Sequence, residues 1–257
     1  MEAGVDETIG DVPVDRFAVV EPAEAPQPVL EKETPTAAPT PPAAPAAPSL
    51  GAEGMSGDAR KAAAAAQNVG ELCAALESFD GCGLKKTATN LVFGDGNPEA
   101  PIIFVGEAPG AEEDRKGIPF VGPSGQLLDR MLASIGLDRT QVFISNTVFW
   151  RPPGNRTPAP GEMAVCMPFV ERLIELVDPQ IVVAVGGPAA NSLLGQKASV
   201  GRLRGKWFTY SSKGLAKPIE ATAIYHPAYL LRTPAQKRAT WQDLLEIRRK
   251  MHSLGCR

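Results

Sequence analysis

The chain has 257 residues and a formal net charge of −3, a length that suits one domain of ordinary size and an additional segment. No run approaches the roughly 18 apolar residues that a membrane-spanning helix needs, and the acidic N-terminus lacks the apolar stretch of a secretory signal peptide. The four cysteines are scattered without the spacing of a disulfide framework. The composition therefore excludes membrane proteins and disulfide scaffolds, and it predicts a soluble protein of the cytoplasm.

The first 59 residues differ sharply from the rest of the chain. Residues 1–59 are rich in proline and alanine and contain eleven acidic and two basic residues, a net charge of −9. We predict a disordered tail, because this composition cannot bury enough apolar surface to offset chain entropy. Its short apolar run 17-FAVV-20 is compatible with a partner-binding segment or with a chance cluster. Residues 60–257, the predicted folded domain, carry a net charge of +6, which suits a polyanionic partner.

Helical and strand-like patterns alternate from residue 60 onwards. Apolar residues at helical spacing predict a first helix over residues 60–78. Four nearly continuous apolar runs rich in β-branched residues predict strands buried on both faces: 101–106, 141–146, 180–186 and 221–225. Further helices are predicted over 124–135, 161–177 and 234–252, with a short one after Gly187. This order predicts a three-layer α/β/α fold with a central four-stranded parallel sheet.

Polar and glycine-rich segments follow each predicted strand. In open α/β sheets, ligands bind beyond the carboxyl ends of the strands, so these segments are expected to meet at one edge of the sheet. The segment after the first strand, 106-GEAPG-110, lacks both the GxGxxG fingerprint and the lysine of a phosphate-binding P-loop, which argues against a nucleotide cofactor. The residues concerned are Gly106 and Glu107, Asn146, Gly186 and Gly187, and His226.

Three segments carry a resemblance to a known family. They are GEAPGAEEDRKGIPFVGPSGQLLD (106–129), SNTVFWRPPGNRTPAP (145–160) and HPAYLLR (226–232). In this order and at these spacings they resemble the family 4 uracil-DNA glycosylases. The resemblance implies a uracil-DNA glycosylase fold and hydrolysis of the N-glycosidic bond of uracil in DNA. Such an enzyme leaves an abasic site for base-excision repair. We expect a bacterial protein that is associated with the nucleoid.

The resemblance also implies roles for individual residues. His226 would donate a hydrogen bond to uracil O2, and Glu107 would position water or stabilise the sugar cation. Asn146 would read the Watson–Crick edge of the flipped base, and Phe120 would stack on it. The same resemblance places Ala108, Pro109 and Glu113 in the base pocket, with Glu113 shaping it against a 5-methyl group. The residues expected to contact DNA are Ser124, Gln126, Arg156, Tyr229, Leu230, Leu231 and Arg232. At least one of residues 229–231 is expected to act as an apolar wedge; the alternative is an apolar loop packed on the final helix.

The chain departs from the family at the iron–sulfur site. Most family members hold a 4Fe–4S cluster on four cysteines, and the corresponding positions here are Phe79, Cys82, Trp150 and Cys166. Two thiolates do not hold such a cluster at normal stability. We therefore expect no cofactor and a site filled by aromatic packing; a retained 4Fe–4S cluster is the disfavoured alternative.

Other functions remain compatible with the sequence. The chain could act on a broader range of deaminated bases, or it could be a catalytically silent DNA-binding module on the same fold. The second alternative is disfavoured because Glu107, Phe120, Asn146 and His226 are all present. We expect a monomer that binds uracil-containing DNA, single- or double-stranded, with a possible protein partner at the N-terminal tail.

Overall fold

A computed structural model describes the backbone of residues 52–256 and the side chains of residues 55–256. Most of the predicted tail, including 17-FAVV-20, lies outside these residues. Residues 52–59, which the sequence pattern assigns to the tail, belong instead to a helix in which Ala59 is fully buried. Within the described residues, no helix combines the length and apolarity needed to cross a membrane.

The strands of residues 52–256 form one six-stranded sheet. They are β1 Asp95–Gly96, β2 Ile102–Gly106, β3 Phe143–Asn146, β4 Ile181–Val185, β5 Phe208–Tyr210 and β6 Ile219–Ile224, in the spatial order β1-β3-β2-β4-β6-β5. The inner four are parallel and correspond to the four predicted strands, which confirms the predicted central sheet. The two antiparallel edge strands escaped prediction because two or three residues are too few to give an apolar run.

The helices cover both faces of the sheet. The described residues form α1 Ala52–Ala65, α2 Val69–Ser78, α3 Ala111–Lys116, α4 Pro123–Ala133, α5 Pro160–Val177, α6 Gly187–Leu194, α7 Val200–Leu203, α8 Pro227–Arg232 and α9 Lys237–Ser253. The prediction of one helix over 60–78 is wrong. The chain breaks before α2 because the side chain of Asn68 accepts the N–H of Glu71 at 2.9 Å and so begins a new helix.

Each face of the sheet has its own apolar core. Alternate residues of β2 point to opposite faces: Ile103 and Val105 join the core under α1, α2, α5 and α6, whereas Ile102 and Phe104 join the core under α4, α8 and α9. All five residues of β2 and of β4 are buried, as expected for strands covered on both sides. The three-layer α/β/α arrangement is therefore confirmed.

The parallel register sets the position of the candidate site. Gly106 at the end of β2 pairs with Asn146 at the end of β3, and Val185 of β4 pairs with Ile224 near the end of β6. The loops that leave these strands consequently start at the same edge of the sheet.

Candidate active site

A cavity of about 500 Å³ opens at the carboxyl ends of the parallel strands, a size typical of small-molecule sites. It brings together residues that are up to 125 positions apart in sequence. The predicted site residues that line it are Glu107, Ala108, Pro109, Glu113, Phe120, Ser124, Asn146, Arg156, His226, Tyr229 and Arg232. Gln126, Leu230 and Leu231, which the resemblance also marks, do not line the cavity.

His226 stands at the N-terminus of α8, where its ring caps the helix. Its Nδ1 accepts the backbone N–H of Ala228 at 3.1 Å, which fixes the neutral tautomer with hydrogen on Nε2. Burial, with a smaller contribution from the charge of Arg232, lowers the pKa of His226 from its usual 6.5 to about 4, and the charge of Glu113 opposes part of this shift. At neutral pH the ring is therefore an uncharged donor through Nε2.

Glu107 follows β2 directly and has a fixed main chain. Its carbonyl oxygen accepts hydrogen bonds from Thr147 Oγ1 at 2.8 Å and from the N–H of Val148 at 3.1 Å. Burial raises the pKa of the Glu107 carboxyl, although a hydrogen bond with Thr157 partly offsets the rise. A half-buried carboxylate with a raised pKa is a stronger base than an exposed one, which suits proton transfer from water.

Phe120 and Asn146 converge over Gly106. A Cβ atom at Gly106 would lie 2.4 Å from Asn146 Oδ1 and 2.7 Å from Phe120 Cζ, so only glycine leaves room for both side chains. The Phe120 and His226 rings have centroids 5.6 Å apart at an interplanar angle of 30°. The backbone of Phe120 is left-handed, with φ of 53°, which costs a non-glycine residue about 1–2 kcal/mol. An aromatic ring and a buried amide are thus held side by side next to the histidine.

Glu113 joins two loops of the cavity. One carboxylate oxygen accepts the N–H of Gly110 at 3.1 Å, and the other accepts the N–H groups of Val121 and Gly122 at 3.0 and 2.9 Å. Its oxygens are therefore committed to the backbone. In this position Glu113 holds two walls of the cavity together, and its expected role in shaping the pocket against a 5-methyl group stays a prediction.

A family model described as the Uracil DNA glycosylase superfamily matches residues 93–245, more than half of the chain. The chain belongs to this superfamily. The Type-4 uracil-DNA glycosylase of Archaeoglobus fulgidus is 42% identical over 170 residues, which are 65% of this chain and 84% of that protein. The corresponding Thermotoga maritima protein is 43% identical over 166 residues, 63% of this chain and 84% of that protein. The Type-5 uracil-DNA glycosylase of Thermus thermophilus is 34% identical over 116 residues, 39% of this chain and 52% of that protein.

In this member of the superfamily, the HPAYLLR segment is a helix rather than a loop. Pro227 at its first position and the capping ring of His226 favour a helix start. The side chain of Leu230 is only 1% exposed and packs in the core, so its predicted role as a DNA wedge is wrong. Tyr229 stacks on Tyr225 with ring centroids 4.9 Å apart. Leu231 is 44% exposed, which leaves it as the apolar side chain of this helix that is free to contact DNA.

The remaining predicted DNA contacts differ in accessibility. Ser124 lies in the first turn of α4 at the cavity, and Gln126 is exposed outside it. Arg156 is exposed but forms two hydrogen bonds with the Glu162 carboxylate, at 2.8 and 2.6 Å. Arg156 is therefore ion-paired with Glu162, and its hydrogen bond lowers the pKa of the Glu162 carboxyl.

The four positions of the family's iron–sulfur site pack as part of the apolar core. Cys82, Cys166 and Trp150 are 2%, 1% and 3% exposed, and the Phe79 ring lies 5.2 Å from that of Phe169. A hydrogen bond between the thiols lowers the pKa of Cys82 and, together with burial, raises that of Cys166. Two thiols and two aromatic rings do not fit a four-iron cluster, which needs four thiolates.

No other cysteine completes the set. Cys73 lies at the margin of the same core on α2, and Cys256 packs in the core on the opposite face of the sheet. Among the described residues, no three His, Cys, Asp or Glu side chains are grouped to hold a metal ion.

Sequence reasoning missed several residues of the cavity. Pro152, Asn155, Thr157 and Ala228 also line it. Three of them lie in the segment 145–160 that carries the family resemblance, so the motif contained the signal. Thr157 is the one with a chemical consequence, since it lowers the pKa of Glu107 and so partly offsets the effect of burial.

Proposed function

We propose that this protein hydrolyses the N-glycosidic bond of uracil in DNA, releasing free uracil and leaving an abasic site for base-excision repair. The observation that carries the proposal is one cavity in which a neutral, donor-competent His226 stands beside Glu107, Phe120 and Asn146. The relatives from Archaeoglobus fulgidus and Thermotoga maritima are named Type-4 uracil-DNA glycosylases, which agrees with this proposal.

The proposed chemistry separates charge within the cavity. The bond between C1′ and N1 breaks, its electron pair leaves with uracil, and negative charge develops on N1 and O2 while the sugar becomes oxocarbenium-like. His226 donates a hydrogen bond from Nε2 to O2, where the charge develops. Water attacks C1′, and its proton passes to Glu107, whose raised pKa suits a base. A donor aimed at a developing oxyanion is worth about 10²–10³ in rate.

Phe120 and Asn146, which converge over Gly106, recognise the base. Phe120 provides the stacking surface, and the Asn146 amide pairs with uracil O4 and N3–H. Cytosine presents the opposite donor and acceptor there, so it would leave the amide mismatched in a pocket where unpaired polar groups are costly. Ala108 and Pro109 form the wall beside the base, and Glu113 keeps that wall in register.

DNA binding is proposed for the surface around the cavity. Leu231 fills the gap left by the flipped nucleotide, and Arg232 with Arg156 adds positive charge for phosphates. Ser124, at the start of α4, offers a hydroxyl beside backbone N–H groups. Gln126, exposed two residues later and outside the cavity, is a peripheral contact. A cavity of about 500 Å³ has room for one extruded base, which supports action on single- and double-stranded DNA, and we propose that one chain acts alone.

We also propose that the chain works without an iron–sulfur cluster. The support is the packing at Phe79, Cys82, Trp150 and Cys166, where aromatic side chains occupy two ligand positions. A role on DNA supports the predicted cytoplasmic, nucleoid-associated location. The acidic segment that precedes α1, residues 1–51, is proposed as a tail with a possible partner-binding segment at 17-FAVV-20.

The direct test uses oligonucleotides that contain a single uracil, single- and double-stranded, with thymine and cytosine versions as controls. After incubation, alkali cleaves the abasic sites. We expect cleavage only at uracil, and a strong decrease with His226→Ala. Absence of cleavage on both uracil substrates would contradict the proposed function.

A further inference from the structure

We infer that Arg139, which does not line the cavity, is a positioning residue that sets the orientation of the Phe120 ring and thereby the affinity for the flipped base. This inference rests on the proposed function, since it concerns the same base pocket. No motif in the sequence assigns a role to Arg139.

The conformation of Phe120 requires support from its surroundings. Its φ of 53° places an aromatic residue in the left-handed region, and such conformations persist only where neighbouring contacts over-determine them. The ring is 5% exposed and lies against the position that a Cβ of Gly106 would occupy. Rotation of this backbone unit would swing the ring away from Asn146.

Arg139 holds the carbonyl side of this unit. Its Nη1 donates to the carbonyl oxygen of Pro119 at 3.1 Å, and its Nη2 donates to that of Phe120. The guanidinium is in turn fixed by two carboxylates, Asp95 at 2.7 Å and Asp129 at 2.9 Å. Because the guanidinium fork is planar and rigid, it holds both carbonyl groups in one relative orientation.

Two further contacts complete the clamp. Glu113 accepts hydrogen bonds from the N–H groups of Val121 and Gly122, so the N–H groups as well as the carbonyl groups of this loop are held in place. A Cβ at Gly125 in α4 would lie 1.7 Å from the Phe120 carbonyl oxygen, so the helix approaches the loop as closely as glycine allows. Glu113 lines the cavity, whereas Arg139 does not, so the side chain of Arg139 can be changed without altering the cavity wall.

The expected consequence is a loss of base binding rather than of chemistry. Without Arg139 the two carbonyls lose their donors, the left-handed unit relaxes and the ring leaves its stacking position. Stacking of a base on an aromatic side chain is worth about 1–3 kcal/mol, so the inhibition constant for free uracil should rise about tenfold. The Michaelis constant should rise by a similar factor, with a smaller change in kcat.

The full chain offers a matched control. Arg172 is 22% exposed against 25% for Arg139, donates to one backbone carbonyl, that of Ala66, and pairs with Glu175 at 3.1 Å, all away from the cavity. Arg139→Gln and Arg172→Gln should lose comparable stability. Only Arg139→Gln should weaken inhibition of uracil excision by free uracil.

A double-mutant cycle tests whether the effect passes through the ring. In a Phe120→Ala background, Arg139→Gln should cause no further increase in the inhibition constant for uracil. Arg139→Lys keeps the positive charge beside Asp95 and Asp129 but lacks the planar fork that holds both carbonyl groups, so it should reproduce the Arg139→Gln effect and serves if Arg139→Gln does not fold.

The outcomes separate the two proposals. Wild-type protein that does not excise uracil would overturn the proposed function. Active wild type with equal uracil inhibition constants for Arg139→Gln and Arg172→Gln would overturn this inference alone. Full additivity with Phe120→Ala would do the same.

Discussion

The cavity at the strand ends and the Cys82–Cys166 site differ in how their space is filled. The cavity retains polar groups that are only partly satisfied, a buried neutral histidine and a strained Phe120. The cysteine site is packed with apolar side chains, and both of its thiols are buried among them. Both regions are anchored to the same sheet.

This difference indicates what each region must do. A site that performs chemistry keeps strain and perturbed pKa values because its groups have to act on a ligand. A site whose contribution is structural can hold other side chains in place of a cofactor, provided that those side chains fill its volume at the packing density of a protein interior. Four predictions distinguish the catalytic role of the cavity from the structural role of the cysteine site.

The largest expected effect concerns packing at the cysteine site. Trp150→Ala should lower the free energy of unfolding by about 3–5 kcal/mol, because it removes a buried indole and leaves a cavity. Urea denaturation measures the change. Trp241→Ala, at a site 42% exposed, is the control and should stay within about 0.5 kcal/mol of wild type. A loss below about 1 kcal/mol for Trp150→Ala would contradict structural packing there.

The second prediction concerns catalysis at the cavity. His226→Asn should lower kcat by about 10²–10³-fold, because the donor to uracil O2 is lost. Asparagine is a good helix N-cap, so α8 should persist. Single-turnover excision gives the rate, and the exposed His252→Asn is the matched control with an unchanged rate. A rate within fivefold of wild type would remove His226 from the mechanism.

The third prediction concerns acid stability. The pKa of His226 is about 4 in the folded protein and near 6.5 when unfolded, so only the unfolded chain gains the proton as pH falls from 6.5 to 4. Wild type should therefore lose up to about 3 kcal/mol more stability than His226→Asn over this window, and nothing further below it. Denaturation midpoints at several pH values measure this. Parallel pH profiles for the two proteins would show that the ring is not buried in its neutral form.

The smallest expected effect concerns DNA contact. Leu231→Ala should lower excision from double-stranded DNA about tenfold and from single-stranded DNA much less, because only a duplex leaves a gap in the base stack. Leu254→Ala, 38% exposed in the residue after α9, is the control. Equal losses on both substrates would argue against a wedge.

The parts that the sequence predicted well are those with a local pattern. Continuous apolar runs marked the four parallel strands, and the parallel topology then placed Glu107, Asn146 and His226 at one edge. The break at Asn68 was missed because residues that favour helices lie on both sides of it: an alanine run over 62–66 and helical apolar spacing from Val69 to Leu76.

Other features depend on long-range contacts that no local pattern encodes. The burial of Leu230 follows from α8 packing on the core, and a short apolar segment does not reveal which of its residues faces inward. Arg139 contacts Asp95 and Phe120, which are 44 and 19 positions away in sequence. Such a residue resembles any surface arginine until the fold is known.

The most direct test combines iron content and activity in one sample of the full chain, purified without exposure to air. We predict uracil excision, less than about one iron per chain and none of the broad visible absorbance of an iron–sulfur cluster. Roughly four irons per chain with that absorbance, or activity lost when iron is removed, would contradict the account of a uracil-excising site supported by aromatic packing alone.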